Sequence, residues 1–203
     1  MAVQLNEQEY YKLFRTARKS VRRMESRGNY DAEHERVERE AFLAGERPYE
    51  RPVRFSTWDQ AVRAQRARGV TFEKVRVMDD PLTPNNRFRI WSNSQATRND
   101  EDIRYVTRSR AIELDLPDHD FWVFDSEQLL LMPYTGDDRL MQTLLVTDPA
   151  LVALHDGWLD LAWANATPYK DYLAEDPTRA EPPIRLPRDV PTVGQSEQHE
   201  RSA

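Results

Sequence analysis

The sequence holds no cysteine, only six glycines, and four each of histidine and lysine in 203 residues. Without cysteine there is no disulfide framework, no thiol nucleophile and no thiolate zinc site. Six glycines give little material for a phosphate-cradling loop. Gly-x-Gly-x-x-Gly, Walker A, Gly-x-Ser-x-Gly and His-Glu-x-x-His patterns are all missing. No apolar run nears the roughly eighteen residues of a membrane span. The start, MAVQLNEQEYYKLF, shows no basic region leading into an apolar stretch, so no secretory signal is expected. The expectation is a cytoplasmic protein with no membrane contact. A net charge of -6 argues against general attraction to nucleic acid. Five Trp, seven Phe and eight Tyr nevertheless supply enough apolar surface for one sizeable domain.

Asn6 and Glu9 form a capping box, after which Tyr10, Leu13, Phe14, Ala17, Val21 and Met24 recur at helical spacing. This predicts a first helix from Glu7 to Arg27, closed by Gly28. Asp31 is expected to cap a second, acidic helix ending at Gly45. Glu46 to Phe55 is expected as a loop, and Ser56 or Thr57 to cap a third helix, Trp58 to Arg68. Residues 1–70 are thus expected to be helical. Period-2 alternation begins near Phe72, with Val75 and Val77 against Lys74 and Arg76. Further strands are expected around Phe88 and Ile90, at Ile103–Val106, Phe121–Phe124, Leu129–Met132 and Leu140–Val146. Asp148-Pro149 starts a long helix that ends before Pro168. The expected fold is α+β: N-terminal helices, a mixed or antiparallel sheet of about six strands, and a long C-terminal helix packed on it. Residues 71–173 make the α/β core and 174–203 a Pro-rich, disordered tail.

Lys12, Arg15, Arg18, Lys19, Arg22, Arg23 and Arg27 would place seven cations on the first helix. They suit phosphate contacts, or else neutralisation by the acids of the second helix. Arg76, Arg87, Arg89 and Arg104 fall on consecutive expected strands. Either they share a face and grip a phosphate or carboxylate, or they pair with Asp79, Glu101 and Asp102. Asp79 and Asp80 follow a strand and, with Asp125, form an oxygen-ligand candidate for Mg²⁺; the bland reading is a turn, and no metal or cofactor is expected. His119 opens a strand beside two acids and is the best base candidate. In an enzyme, His119 and Asp125 would act with the strand arginines. His155 reads as a packed core histidine. Phe121, Trp122, Phe124, Trp158 and Trp163 read as a helix packed on the sheet.

The boxes Asp120-Phe121-Trp122-Val123-Phe124-Asp125 and Trp163-Ala164-Asn165-Ala166-Thr167-Pro168 carry a resemblance. With Val75-Arg76-Val77, Asp80-Pro81-Leu82, Arg87-Phe88 and Glu101-Asp102-Ile103-Arg104, they make residues 10–172 similar to an uncharacterised actinobacterial domain family. An arginine-to-lysine ratio of 25 to 4 fits a high-GC genome. Thr83-Pro84-Asn85-Asn86 and the stretch Gln95 to Asp100 depart from the family's usual pattern. The resemblance implies a regulatory protein partnered by a helix-turn-helix regulator. The family in turn remotely resembles a phospholipase D-like half domain, which uses a His, a Lys two residues later and an Asp. Here Phe121 stands two residues after His119, so the resemblance implies a site without its main charge-stabilising cation. A non-catalytic binding protein is therefore the leading expectation. A phosphodiester- or nucleotide-processing enzyme is the alternative, and nucleic-acid binding by the first helix the third.

Overall fold

The computed structural model describes residues 2–45 and 57–183. The loop expected over Glu46–Phe55, the Ser56 cap and the tail beyond residue 183 lie outside these. Helix α1 (Glu7–Thr16) starts at the Asn6 capping box: Asn6 Oδ1 accepts the Glu9 N–H at 3.0 Å and Glu9 Oε2 accepts the Asn6 N–H at 2.9 Å. It stops at Thr16 rather than Arg27. Ser20–Glu25 instead form strand β2, in the middle of the sheet. Val21 and Met24 fit a helical period by coincidence. They point into opposite layers of a strand covered on both faces, and double coverage removes the alternation that marks a half-buried strand.

The other strands are β1 (Ala2–Gln4), β3 (Thr71–Met78), β4 (Asp102–Thr107), β5 (Asp120–Phe124), β6 (Gln128–Met132), β7 (Leu144–Val146) and β8 (Thr167–Pro168). Their order is β1-β7-β6-β5-β2-β3-β4-β8. β2, β3 and β4 are parallel and the remaining pairs antiparallel. Parallel neighbours need crossovers: α2 (Arg36–Leu43) and α3 (Thr57–Arg66) lie between β2 and β3, and α4 (Pro84–Ala96) between β3 and β4. Helices α5 (Arg108–Glu113), α6 (Pro149–Asn165) and α7 (Tyr169–Glu175) complete the set among the described residues. The expected α+β class holds, with eight strands among the described residues instead of about six.

Three of those strands, β1, β2 and β8, were not anticipated, and the expected strand at Arg87–Trp91 lies inside α4. Thr83 Oγ1 accepts the Asn86 N–H at 3.1 Å, Asn86 Oδ1 accepts the Thr83 N–H at 3.1 Å, and Pro84 opens the first turn. This helix buries Asn86, Phe88, Arg89, Ile90 and Asn93 together, so polar and apolar residues mix on its covered side. Asp31 caps no helix; a 3-10 turn at Glu33–Glu35 leads into α2.

The core has two layers. Beneath α6, Met24, Val75, Val77, Phe121, Val123 and Leu129 pack with Val152, Leu159 and Ala162. On the opposite face, Val21, Phe72, Trp122, Phe124 and Leu130 pack against Leu13, Phe14 and Val62 of α1 and α3. The aromatic residues expected to form one helix-on-sheet core are thus divided between the layers. Asp148 caps α6 as expected, its Oδ1 accepting the N–H groups of Ala150 and Leu151 at 3.0 and 3.1 Å. Residues 174–183 carry the end of α7 and a 3-10 turn, Pro177–Ala180, where the Thr178 carbonyl accepts from Arg87 Nη1 at 2.6 Å.

Candidate functional site

On the α1/α3 face, the alternation of β2 and β3 presents Arg23, Glu25, Lys74 and Arg76. Register sets Arg23 beside Lys74 and Glu25 beside Arg76, with Trp122 opposite Arg23 and Tyr105 opposite Arg76. These strand residues floor a cleft of about 540 Å³. Tyr10 and Tyr11 of α1, Trp58 of α3, and Arg89 and Asn93 of α4 line its sides, together with Tyr30, Glu35 and Tyr134.

Glu25 is the electrostatic centre. Its Oε1 lies 2.8 Å from Arg23 Nε, and its Oε2 meets the Arg76 guanidinium. Burial would raise this carboxyl, but Arg23, Arg76, Lys74 and Arg89 outweigh it and hold Glu25 far below the usual carboxylate range. Burial likewise opposes the charge of Arg23 and of Arg76, and Glu25 reverses that, so both guanidiniums are held above their ordinary values. The Nε–H groups of both arginines are buried without an aligned hydrogen bond.

Next to this group, the Tyr30 hydroxyl donates to Asp120 Oδ2 at 2.7 Å, while Asp120 Oδ1 accepts the Ser26 N–H at 2.9 Å. Burial and then the Asp120 charge push the Tyr30 hydroxyl well up. The Tyr30 ring lies 5.7 Å from the Arg76 guanidinium and 5.1 Å from that of Arg89, which pairs with Glu35. Lys74 Nζ has Glu101 Oε2 at 3.8 Å. Glu101 Oε1 accepts from Trp58 Nε1 at 3.2 Å, and burial pushes its carboxyl up.

Of the four strand arginines, the structure brings only Arg76 and Arg89 together. Arg87 donates to Thr178 on the far side of α4. Arg104 lies across the sheet, its guanidinium 3.9 Å from the Trp163 ring centre and 3.5 Å from Asp102. Of the two readings, a single face shared by all four arginines fails because α4 is a helix and Arg104 has the opposite strand parity; Arg104 instead lies beside Asp102.

The Asp79, Asp80 and Asp125 set also separates. Asp79 follows β3 and pairs with Arg108 Nε at 2.5 Å. Asp80 precedes the cis bond to Pro81. Asp125 follows β5, which runs against β2 and hence against β3, so it sits at the other end of the sheet. There it accepts backbone N–H groups of Arg18, Lys19 and Ser20 at 2.7–3.0 Å. Burial raises this carboxyl, but those donors hold it below its ordinary value. Among the described residues, no group of three or more His, Asp or Glu side chains is placed to hold a metal ion.

The seven cations do not share the first helix: α1 ends at Thr16, so Arg18, Lys19 and Arg27 fall outside it and Arg22 and Arg23 belong to β2. Arg22 points to the α6 layer, where it meets Glu73 at 2.9 Å, Asp156 at 2.5 Å and Asp160 at 2.8 Å. Those acids, and not the second helix, neutralise it.

His119 faces His155, with Nε2 to Nε2 at 3.0 Å, and His155 Nδ1 contacts the Leu151 carbonyl at 2.8 Å. That carbonyl places the proton on Nδ1, so His155 Nε2 accepts and His119 Nε2 donates. Burial lowers both imidazoles, His155 further lowers His119, and the Leu151 contact partly restores His155. Neutral imidazoles favour the fold, so this contribution is complete above roughly pH 6.5 and is lost as pH falls through the depressed folded values. We expect the thermal midpoint to drop between about pH 7 and pH 5, and to drop less in His155→Phe; an identical slope in that variant would contradict the assignment.

Glu25, Tyr30 and Asp120 are site residues that sequence reasoning missed, while Arg23 reads there as a first-helix cation and Glu101 as a partner of the strand arginines. Alternation did flag Lys74 and Arg76 as the polar face of a strand. Nothing local showed that this face opens into a cleft and not into bulk water.

Residues 8–174 match the family model described as "Domain of unknown function (DUF6879)". None of the curated proteins matches the sequence. Among solved structures, TrmBL2, an archaeal chromatin protein described as showing a novel mode of DNA binding, is 11% identical with a TM-score of 0.45. That match covers 82% of this chain and 53% of TrmBL2, so the chain spans about half of that protein. Nuc from Salmonella typhimurium, a phospholipase D family member, is 14% identical with a TM-score of 0.48, covering 83% of this chain and 96% of Nuc. Neither likeness assigns an activity. The family model spans most of the sequence, and the chain therefore belongs to the DUF6879 family.

Proposed function

We propose that this domain is a non-catalytic binding module of a regulatory pair, and that the cleft is where it receives a ligand. The observation that carries this reading is the floor of the cleft. Glu25 and Arg76 are each 4% exposed, and removing charges from water costs several kcal/mol per ion. A polar core of this cost beside an open cleft is characteristic of functional sites.

The enzymatic alternative needs His119 and Asp125 to act on one reacting atom. They flank the two ends of β5, roughly 20 Å apart at strand rise. His119 is engaged by His155 and Asp125 by three backbone donors.

The partner in this reading is a helix-turn-helix regulator, as the family resemblance implies. Tagged protein co-expressed with a helix-turn-helix regulator encoded beside it should recover that regulator at low and moderate salt. Failure under both conditions would overturn the partnership. Turnover of nucleotide or nucleic-acid pools that disappears in His119→Ala would overturn the non-catalytic reading.

A further inference from the structure

We infer that the cleft takes the anionic group of a small organic ligand, a carboxylate or a phosphate on an apolar or aromatic body, and that Lys74 receives it. This rests on the binding-module reading and adds the class of ligand. Arg23 and Lys74 are register partners on adjacent parallel strands, and like charges so placed repel. The neighbouring acids are committed elsewhere: Glu25 to Arg23 and Arg76, and Glu35 to Arg89.

Lys74 has an ammonium with three donors on a side chain only 13% exposed, and its acid partner Glu101 stands at 3.8 Å. Glu101 also accepts from Trp58, and its burial disfavours the ionised form, which weakens it further as a counter-ion. The Nε–H groups of Arg23 and Arg76 lack aligned acceptors as well, and Glu25 Oε2 between them makes ion-pair contact without an aligned hydrogen bond. Among the described residues, Lys74 and these two Nε–H groups therefore keep donor capacity, which a carboxylate or phosphate meets in charge-assisted form.

The rest of the cleft sets the ligand's body. About 540 Å³ exceeds what a bare oxyanion needs and falls in the range of small-molecule sites. Tyr10, Tyr11 and Trp58 offer ring surface, and Tyr11 is 44% exposed at the mouth, outside the packed core. Asp31, Glu38 and Asp59 stand at the cleft wall, and their field opposes a polyanion. The fit is to one anionic group with a ring behind it, not to a nucleic-acid backbone.

The test titrates the full-length protein with benzoate, phenyl phosphate, benzamide and inorganic phosphate, following tryptophan emission and the thermal midpoint. Trp58 and Trp122 line the cleft and report on it directly. Benzoate or phenyl phosphate should bind saturably and raise the midpoint, with benzamide and inorganic phosphate at least about tenfold weaker. The stronger of the two aryl anions identifies carboxylate or phosphate as the natural group. Lys74→Gln should weaken the aryl anion by about tenfold or more, the scale of a lost charge-assisted bond. Lys74→Arg should retain binding, and Lys170→Gln should leave it unchanged.

Should Lys74→Gln fail to fold, Tyr11→Ala provides the second variant, weakening the aryl anions without lowering the free protein's midpoint. No saturable response to either aryl anion, an equal response to benzamide, or unchanged affinity in Lys74→Gln (in Tyr11→Ala where that variant stands in) overturns the inference. Anion binding lost while the regulator still co-purifies removes only this inference. Anion binding without the regulator removes only the partnership.

Discussion

Glu25→Gln should destabilise the protein by about 3–5 kcal/mol, the scale for removing one partner of a buried ion pair. The side chains of Glu25 and Arg76 are each 5% exposed and that of Arg23 is 13% exposed. A neutral amide would leave two guanidiniums in low dielectric with Asp120, 3.6 Å from Arg23, as the nearest remaining carboxylate. The desolvation already incurred by the arginines is then uncompensated, which is why the loss exceeds that of an exposed pair. Removing charge from both sides should be gentler: Glu25→Leu with Arg76→Leu should lose less than the sum of the single variants. The pH dependence has a definite sign. The folded-state value of Glu25 lies below its unfolded one, so its contribution is present above roughly pH 4.3 and is lost as pH falls. The gap between wild type and Glu25→Gln in urea-derived stability should therefore narrow in acid. A loss below about 1 kcal/mol at neutral pH would mean that Asp120 and the tyrosines neutralise the arginines without Glu25.

The same residues show how far the fold could be read from sequence. Local chemistry was decisive where one residue satisfies a known backbone need. The Asn6–Glu9 box and the Asp148-Pro149 start both bind the donors they were expected to bind. The hairpin of β5 and β6 also follows, with Asp125 and Ser126 at positive φ in its turn. Periodicity misled wherever burial is two-sided. β2 carries Val21, Arg23 and Glu25 on one face and Arg22 and Met24 on the other, so its apolar residues do not alternate. α4 buries Arg89 and Asn93 beside Phe88 and Ile90, and its alternating Arg87-Phe88-Arg89-Ile90 imitates a strand. The cleft was illegible for a related reason. Its residues come from β2, β3, β5, α1, α3 and α4 and from the segment around Tyr30, and only long-range packing and register bring them together.

Phe14→Ala should cost about 3–5 kcal/mol, the range for deleting a buried phenyl ring. Phe14 is 2% exposed, and its ring centre lies 5.1 Å from Tyr10 and Trp58 and 5.0 Å from Trp122 and Phe124. Four aromatic partners from α1, α3 and β5 thus converge on one side chain, at tilted and edge-to-face angles that favour ring pairs. Helices of ten residues such as α1 and α3 are marginal alone and depend on tertiary packing, so the cavity would loosen both against the sheet. The urea midpoint should fall with little change in slope if the transition stays two-state. Phe14→Leu, which fills most of the volume, should cost less. Tyr10 and Trp58 are also walls of the cleft, which joins this core to the proposed site. At temperatures where Phe14→Ala is still folded, it should weaken the aryl-anion probes, whereas a core deletion in the α6 layer of overlapping cost, Leu159→Ala, should not. Equal weakening by both variants would show that probe affinity follows global stability and not the setting of Tyr10 and Trp58.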